Sequence, residues 1–172
     1  RNPAMILADG AIGQMMEKVV LPPFKPRRTE EEIRKECPWA TTGRFGGRKP
    51  NIITSLELRS EEMEIINLRI QEKYKKIEES EVRFEEYMLD DAEYAIVAFG
   101  SAARIAKKSI EIARSQGIKV GLLRPITLWP FPTKEVQKLG EKMKGILSLE
   151  INAGQMVEDI RLAVAGRVPV QH

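Results

Sequence analysis

What most constrains this chain is an alternation of strand and helix patterns over residues 94–170. Tyr94-Ala-Ile-Val-Ala-Phe-Gly100 is a short run of β-branched and aromatic residues ending in glycine, the pattern of a strand buried on both faces. Ser101 then offers an N-cap hydroxyl, and Ala102, Ile105, Ala106, Ser109 and Ala113 recur at helical spacing. Gly117 suits the left-handed residue that ends many helices. Residues 118–123 read as a second buried strand, and Val136, Leu139 and Met143 as the inner face of a second helix. The cycle repeats once more: residues 145–152 predict a strand, Val157, Ile160 and Val164 a helix stripe, and residues 168–170 the start of a fourth strand. Alternation this regular implies right-handed crossovers and a parallel sheet covered by helices on both faces, a three-layer α/β domain over residues 94–172.

Composition narrows the function classes. Lys and Arg exceed Asp and Glu by three (28 minus 25) in 172 residues, too small a surplus to imply nucleic acid. Cys37 is the single cysteine, so neither an internal disulfide nor a cluster of cysteine ligands can form, and a reducing cytoplasm is the expected compartment. No run is apolar and long enough to span a membrane, and no signal peptide is read. The chain opens on Arg1 with a strand-like run close behind and closes in the start of a strand, so a piece of a longer polypeptide is expected.

Toward the amino end, residues 3–9 predict a buried strand that delivers Asp9 to its carboxyl end. Asp9 is placed either to cap the helix predicted over residues 10–20 or to edge a cleft. That helix would bury Ile12, Met15, Met16 and Val19. Pro22, Pro23 and Pro26 then force an extended linker, so residues 1–20 are assigned to one domain and the later sheet to another. Residues 21–59 form the linker and a long loop, with one helical turn over residues 29–35. Within it Trp39, Arg44 and Phe45 are available either for local packing or for a ligand or partner, and Gly46-Gly47 lacks the context of a phosphate loop. Residues 60–93 are a connecting helix and lead-in: Ser60 opens a helix striped by Met63, Ile66, Ile70, Tyr74 and Ile77, and Phe84, Tyr87 and Leu89 pin the lead-in to the sheet.

Open parallel sheets bind ligands at the carboxyl ends of their strands. Here those ends carry Gly100-Ser101, Arg124-Pro125 and Glu150-Ile-Asn-Ala-Gly-Gln155. The first lacks the further glycines of a dinucleotide fingerprint, and Arg124-Pro125 stands where the ribose-binding acid would be. Asn152-Ala-Gly-Gln155 fits an anion site at a helix start, and fits plain turn and cap roles equally. No nucleophile-base set, metal-ligand cluster or thiamine diphosphate motif is found, so no catalytic residue is assigned.

At Gly100-Ser-Ala-Ala-Arg104, at Gly117-Ile-Lys-Val-Gly-Leu-Leu-Arg-Pro-Ile-Thr-Leu-Trp-Pro-Phe-Pro132 and at Glu150-Ile-Asn-Ala-Gly-Gln-Met156, the chain resembles the alpha subunit of 2-oxoacid:ferredoxin oxidoreductases, in particular the 2-oxoglutarate and 3-methyl-2-oxobutanoate members. The first twenty residues are similar to the close of that subunit's pyrimidine-binding domain, and residues 94–172 to its transketolase C-terminal-like domain. The resemblance implies oxidative decarboxylation of a 2-oxo acid to an acyl-CoA with reduction of ferredoxin. It implies thiamine diphosphate and magnesium held mainly by other segments, iron-sulfur clusters on other subunits, and coenzyme A as co-substrate. A beta subunit, with gamma and delta subunits, would complete the enzyme; alone this chain would be inactive. Asp9, Arg124, Asn152 and Gln155 are the candidates for cleft or interface roles, each with a structural role as the alternative. Competing readings are the equivalent domain of a transketolase or of a 2-oxoacid dehydrogenase beta subunit, and a non-catalytic α/β interaction module.

Overall fold

In a computed structural model, residues 3–40, 47, 49, 52 and 54–172 are described. Two compact units emerge: Arg1–Met15 with Gln71–His172, and Met16–Ile70.

The larger unit is built on a five-stranded sheet of β1 (Phe84–Tyr87), β2 (Tyr94–Ala98), β3 (Val120–Pro125), β4 (Gly145–Leu149) and β5 (Val170–Gln171), in spatial order β1-β3-β2-β4-β5. Strand β2 lies parallel between β3 and β4, with Tyr94 opposite both Val120 and Gly145, and β5 runs parallel to β4. The residues that form this core are the continuous apolar runs expected of strands covered on both faces. The expected parallel α/β sandwich is therefore present, with one addition. Strand β1 runs antiparallel to β3 along the edge, pairing Glu85 with Arg124. The sequence places Phe84 and Tyr87 against the sheet without showing that they form part of it, because Phe-Glu-Glu-Tyr is short and charged. Edge strands are commonly short and charged, since a flat apolar edge would recruit another chain.

Helices cover the two faces unequally. α4 (Gly100–Ser115) buries Ala102, Ala103, Ala106 and Ile110 against Ala98, Val120 and Leu122. On the opposite face α5 (Thr133–Lys142) and α6 (Met156–Val164) pack Val136, Leu139, Ile160 and Val164 against Val97, Leu123 and Ile146. All three α6 positions expected in the core are buried. The α4 stripe is rotated from expectation: Ile105 and Ser109 face outward while Ala103 and Ile110 turn in. An alanine-rich helix with apolar residues on several sides leaves its inner face ambiguous in sequence. Beside α4, over Tyr94, Ile118 and Leu147, an apolar groove of about 520 Å³ runs along the amino-terminal half of the sheet.

Gly121 sits where β3 meets the turn between β1 and β2. A Cβ built there would come within 2.4 Å of the Met88 carbonyl oxygen and 2.7 Å of Leu89 Cδ2. Met88 itself takes φ 53°, in the left-handed region. The turn is secured from both faces. From α4, Arg114 donates to the Met88 carbonyl at 2.7 Å, to the Val120 carbonyl at 2.8 Å and to Asp91 at 2.7 Å. From α5, Lys142 reaches the Leu89 and Asp90 carbonyls at 2.9 and 2.7 Å.

The amino-terminal expectations need correction. Residues 3–9 form no strand, and Met5, Ile6 and Leu7 are exposed. Their strand propensity is real, but the five-stranded sheet pairs with other segments and provides this run no ladder. α1 (Gly10–Gln14) has five residues where eleven were expected, and Met16 is fully exposed. Helices this short are marginal without an apolar face to bury, and the predicted stripe finds none to bury against.

In the unit Met16–Ile70, α2 (Glu30–Glu36) matches the expected turn. Thr29 and Glu32 close a reciprocal capping box: the Glu32 amide donates to Thr29 Oγ1 at 3.3 Å and the Thr29 amide to Glu32 Oε2 at 2.8 Å. Cys37 is buried at its end. Trp39 is half exposed, and Arg44 and Phe45 lie outside the described residues. α3 (Ser60–Ser80) begins in this unit and ends in the larger one. Met63, Ile66, Ile70 and Ile77 of its predicted stripe are its half-buried positions, together with Glu62, whereas Tyr74 is more open and meets Trp129 edge to face at 5.4 Å.

Candidate functional site at the carboxyl edge of the sheet

Strands β2 and β4 are neighbours, yet the helices after them leave to opposite faces. Such a divergence opens a crevice between the carboxyl ends of the two strands, the place where open α/β sheets bind ligands. One side is the start of α4, where Gly100 takes φ 55°. The other is the turn from Glu150 to Gln155 that leads into α6.

Asp9 lies at the first side. One carboxylate oxygen caps α1 by accepting from the Ile12 amide at 2.8 Å, and the other accepts from the Ser101 hydroxyl at 2.5 Å. The Ser101 hydroxyl, then the Ile12 amide, hold the Asp9 carboxyl below its ordinary range. Ser101 is thus not the expected cap: α4 starts after Phe99 without a side-chain cap, and the hydroxyl is committed to Asp9.

Glu150 dominates the second side. Its carboxylate accepts from the Ser148 hydroxyl at 2.8 Å and from the amides of Met156 and Val157 at 2.9 Å and of Gln155 at 3.1 Å. The one buried polar residue of the described core, Ser148, is 2% exposed and points at this acid. Burial pushes the Glu150 carboxyl up, but the Met156 amide, the Ser148 hydroxyl and the Gln155 and Val157 amides together outweigh it, lowering the value to about 2. In the sequence Glu150 stands out only as one member of a run at a strand end. The available signal was an acid a few residues ahead of a helix start, where charge meets the positive end of the helix dipole.

The predicted candidates are satisfied locally. Asn152 Oδ1 accepts from the Gly154 amide at 2.7 Å, an Asx turn, and Gln155 is the N-cap residue of α6 without a side-chain cap bond. His172 lies over this turn, since a Cβ at Gly154 would approach its Cε1 at 3.3 Å. Arg124 lies on β3, next to the edge strand, donating to Glu85 of β1 at 3.0 Å, and Glu85 also binds Lys107. Lys107 first, then Arg124, hold the Glu85 carboxyl below its ordinary range against the opposing effect of burial. Among the described residues no hydrogen bond links Asp9, Arg124, Asn152 and Gln155 to one another; the fold brings Asn152 and Gln155 into one turn and leaves Arg124 outside it.

The edge does not suit a metal-bound diphosphate. The α6 amides that would receive a phosphate are filled by Glu150, and among the described residues no three His, Cys, Asp or Glu side chains converge. The arrangement can brace a neighbouring surface and present Asn152, Gln155 and His172 to it.

The Glu150 bonds make acid stability depend on one carboxylate. Because its folded value lies below the ordinary 4.5, its contribution is present above that pH and is lost as pH falls toward about 2. Asp159 works oppositely: burial, then Glu158 and Glu150, raise it, so stability it lends in acid is lost as pH rises through its raised value. Denaturant unfolding from pH 5 to 2 should therefore show a steeper acid loss for the wild type than for Glu150→Gln; identical slopes would show that the carboxylate does not titrate as its bonds require.

With this geometry in place, comparison with known proteins defines the class. Residues 92–172 match the family model described as pyruvate:ferredoxin oxidoreductase core domain II. A solved 2-oxoglutarate:ferredoxin oxidoreductase from Magnetococcus marinus shares the fold at a TM-score of 0.63 and 19% identity, over 76% of this chain and 24% of that one. The chain is 47% identical over 95% of its length to the ketoisovalerate oxidoreductase subunit VorB of Methanothermobacter marburgensis. It is 29% identical over 97% of its length to the 2-oxoglutarate synthase subunit KorA of Archaeoglobus fulgidus. This chain belongs to the 2-oxoacid:ferredoxin oxidoreductase family, as the resemblance in its motifs implied. It spans about half the length of these curated relatives, 45% of the first and 47% of the second.

Proposed function

We propose that this chain is part of the alpha-type subunit of a cytoplasmic, thiamine diphosphate-dependent enzyme that converts a branched-chain 2-oxo acid and coenzyme A to an acyl-CoA and carbon dioxide while reducing ferredoxin. The observation that carries this reading is the 47% identity to a ketoisovalerate oxidoreductase subunit, well above the 29% to a 2-oxoglutarate synthase subunit. Thiamine diphosphate with magnesium supplies the decarboxylation chemistry when bound, and iron-sulfur clusters on partner subunits carry the electrons. The residues of this chain do none of that chemistry. Residues 1–20 are the close of a pyrimidine-binding domain, residues 21–59 a linker and loop, and residues 60–93 a connecting helix and lead-in to the sheet domain of 94–172.

In this reading the sheet domain is a rigid brace. Asp9, Asn152 and Gln155 stand at its carboxyl edge toward the cleft, and Arg124 ties the edge strand to the sheet where a beta, gamma or delta subunit would rest. The reading is tested by purifying the full-length subunit with its partners and assaying reduction of ferredoxin. Turnover of 3-methyl-2-oxobutanoate well above that of 2-oxoglutarate is expected; the reverse order, or turnover of neither, overturns it. In the same complex, Arg124→Ala should lower assembly or turnover several-fold, because Glu85 would retain only Lys107. Unchanged kinetics in a complex of normal size would remove Arg124 from the candidates.

A further inference from the structure

Glu150 stands out among the acids of the described chain: one carboxylate gathers four donors, three from consecutive backbone amides and one from a buried serine. The bonds run in two directions. Ser148 belongs to β4, while Gln155, Met156 and Val157 open α6, so the acid fastens the end of the strand to the start of the helix that leaves it. Between the two lie Ile151 to Gly154, a turn closed by Asn152 and left largely exposed. The span between residues 149 and 156 has no other side-chain bond to the sheet or to α6 among the described residues.

We propose that Glu150 is a positioning residue: it touches no substrate, and by locking strand end to helix start it fixes the orientation of the turn that presents Asn152 and Gln155 at the crevice. The inference rests on the proposed function, in which that turn faces the cleft of the assembled enzyme. An acid is suited to the task because charge-assisted bonds to backbone amides are shorter and stronger than neutral ones, and the positive end of α6 favours a negative partner. An amide side chain keeps the shape and loses the charge, offering a single acceptor oxygen to four donors. The lock also has an electrostatic setting. The Asp159 carboxyl, in the first turn of α6, is raised by burial and then by Glu158 and Glu150, whereas the Glu150 carboxylate, against the effect of burial, is held low by the Met156 amide, the Ser148 hydroxyl and the Gln155 and Val157 amides that donate to it.

The test uses the full-length subunit assembled with its partners, comparing wild type, Glu150→Gln, Glu150→Ala and the control Glu158→Gln. Hydrogen exchange read at the peptide covering residues 150–157 should quicken on the order of tenfold or more in both Glu150 variants, as the loss of charged hydrogen bonds implies. The β2 and β3 amides and the control should stay at wild-type rates. At a temperature where every variant is folded and assembled, kcat should fall several-fold in step with the local exchange, with a smaller change in KM for the 2-oxo acid. Local loosening with wild-type kinetics would reduce Glu150 to an ordinary helix cap and overturn the proposal, as would exchange that quickens throughout the sheet or nowhere. Failure of the functional reading is distinguished by the wild-type complex, which would then turn over no branched-chain 2-oxo acid.

Discussion

Replacing Gly121 by alanine is expected to lower the free energy of unfolding by about 3 kcal/mol, at the upper end of what an overpacked core costs. The added methyl would meet the Met88 carbonyl oxygen at 2.4 Å and the Leu89 side chain at 2.7 Å. Neither neighbour can step aside freely. Met88 is already in the left-handed region, its carbonyl is held by Arg114, and the Leu89 and Asp90 carbonyls are held by Lys142. Gly121 lies inside β3, the strand that joins the antiparallel edge to the parallel centre, so relief would have to come from shifting the ladder itself. Urea denaturation with an unchanged m-value and a lowered midpoint is the expected result. A midpoint within experimental error of the wild type would show that the turn is not seated on this glycine.

A second large effect is expected at Ile160. It is 0% exposed and lies on α6 facing Val97, Val136 and Ile146. Truncation to alanine removes buried methyl groups and leaves a cavity between two rigid layers, a loss of about 2–5 kcal/mol. Leu162, two residues further along the same helix, is 81% exposed and provides the control. Leu162→Ala should change stability by no more than about 0.5 kcal/mol, in line with surface substitutions generally. Comparable effects at the two sites would mean that α6 is not docked on the sheet as described.

The contrast between these two leucine-sized residues shows why much of the fold was legible in sequence. Val157, Ile160 and Val164 repeat at helical spacing, with Glu158, Asp159 and Arg161 on the other side, and the inner face of α6 is the one they mark. The β2, β3 and β4 runs were equally plain, because a strand covered on both faces has few places for a charge. Where periodicity was weak, reading failed in a physical way. Strand β1 carries two glutamates on an edge that must repel further pairing, so its composition hides its structure. Residues 3–9 have a strand's composition without a strand's neighbours, and pairing decides the outcome. At the crevice, the sequence leaves Asp9 open between a helix cap and a cleft edge, and its bond to the Ile12 amide is that of a cap; Asn152 lies in the turn and Gln155 at the helix start that their residue types suggest. Glu150 was passed over because its role depends on four donors that converge only in three dimensions, and Arg124 stood out for its place at a strand end, though its partners are Glu85 on β1 and, through it, Lys107.

The acidic edge also bears on how the molecule meets its own kind. On the outermost strand Glu85 is committed to Lys107 and Arg124 while Glu86 is exposed, and a second copy laid alongside would bring a charged, solvated side chain against the ladder. Growth of the sheet by addition of strands is thereby discouraged at this margin. A partner that rests on this margin would therefore meet side chains and connecting turns and would not extend the ladder.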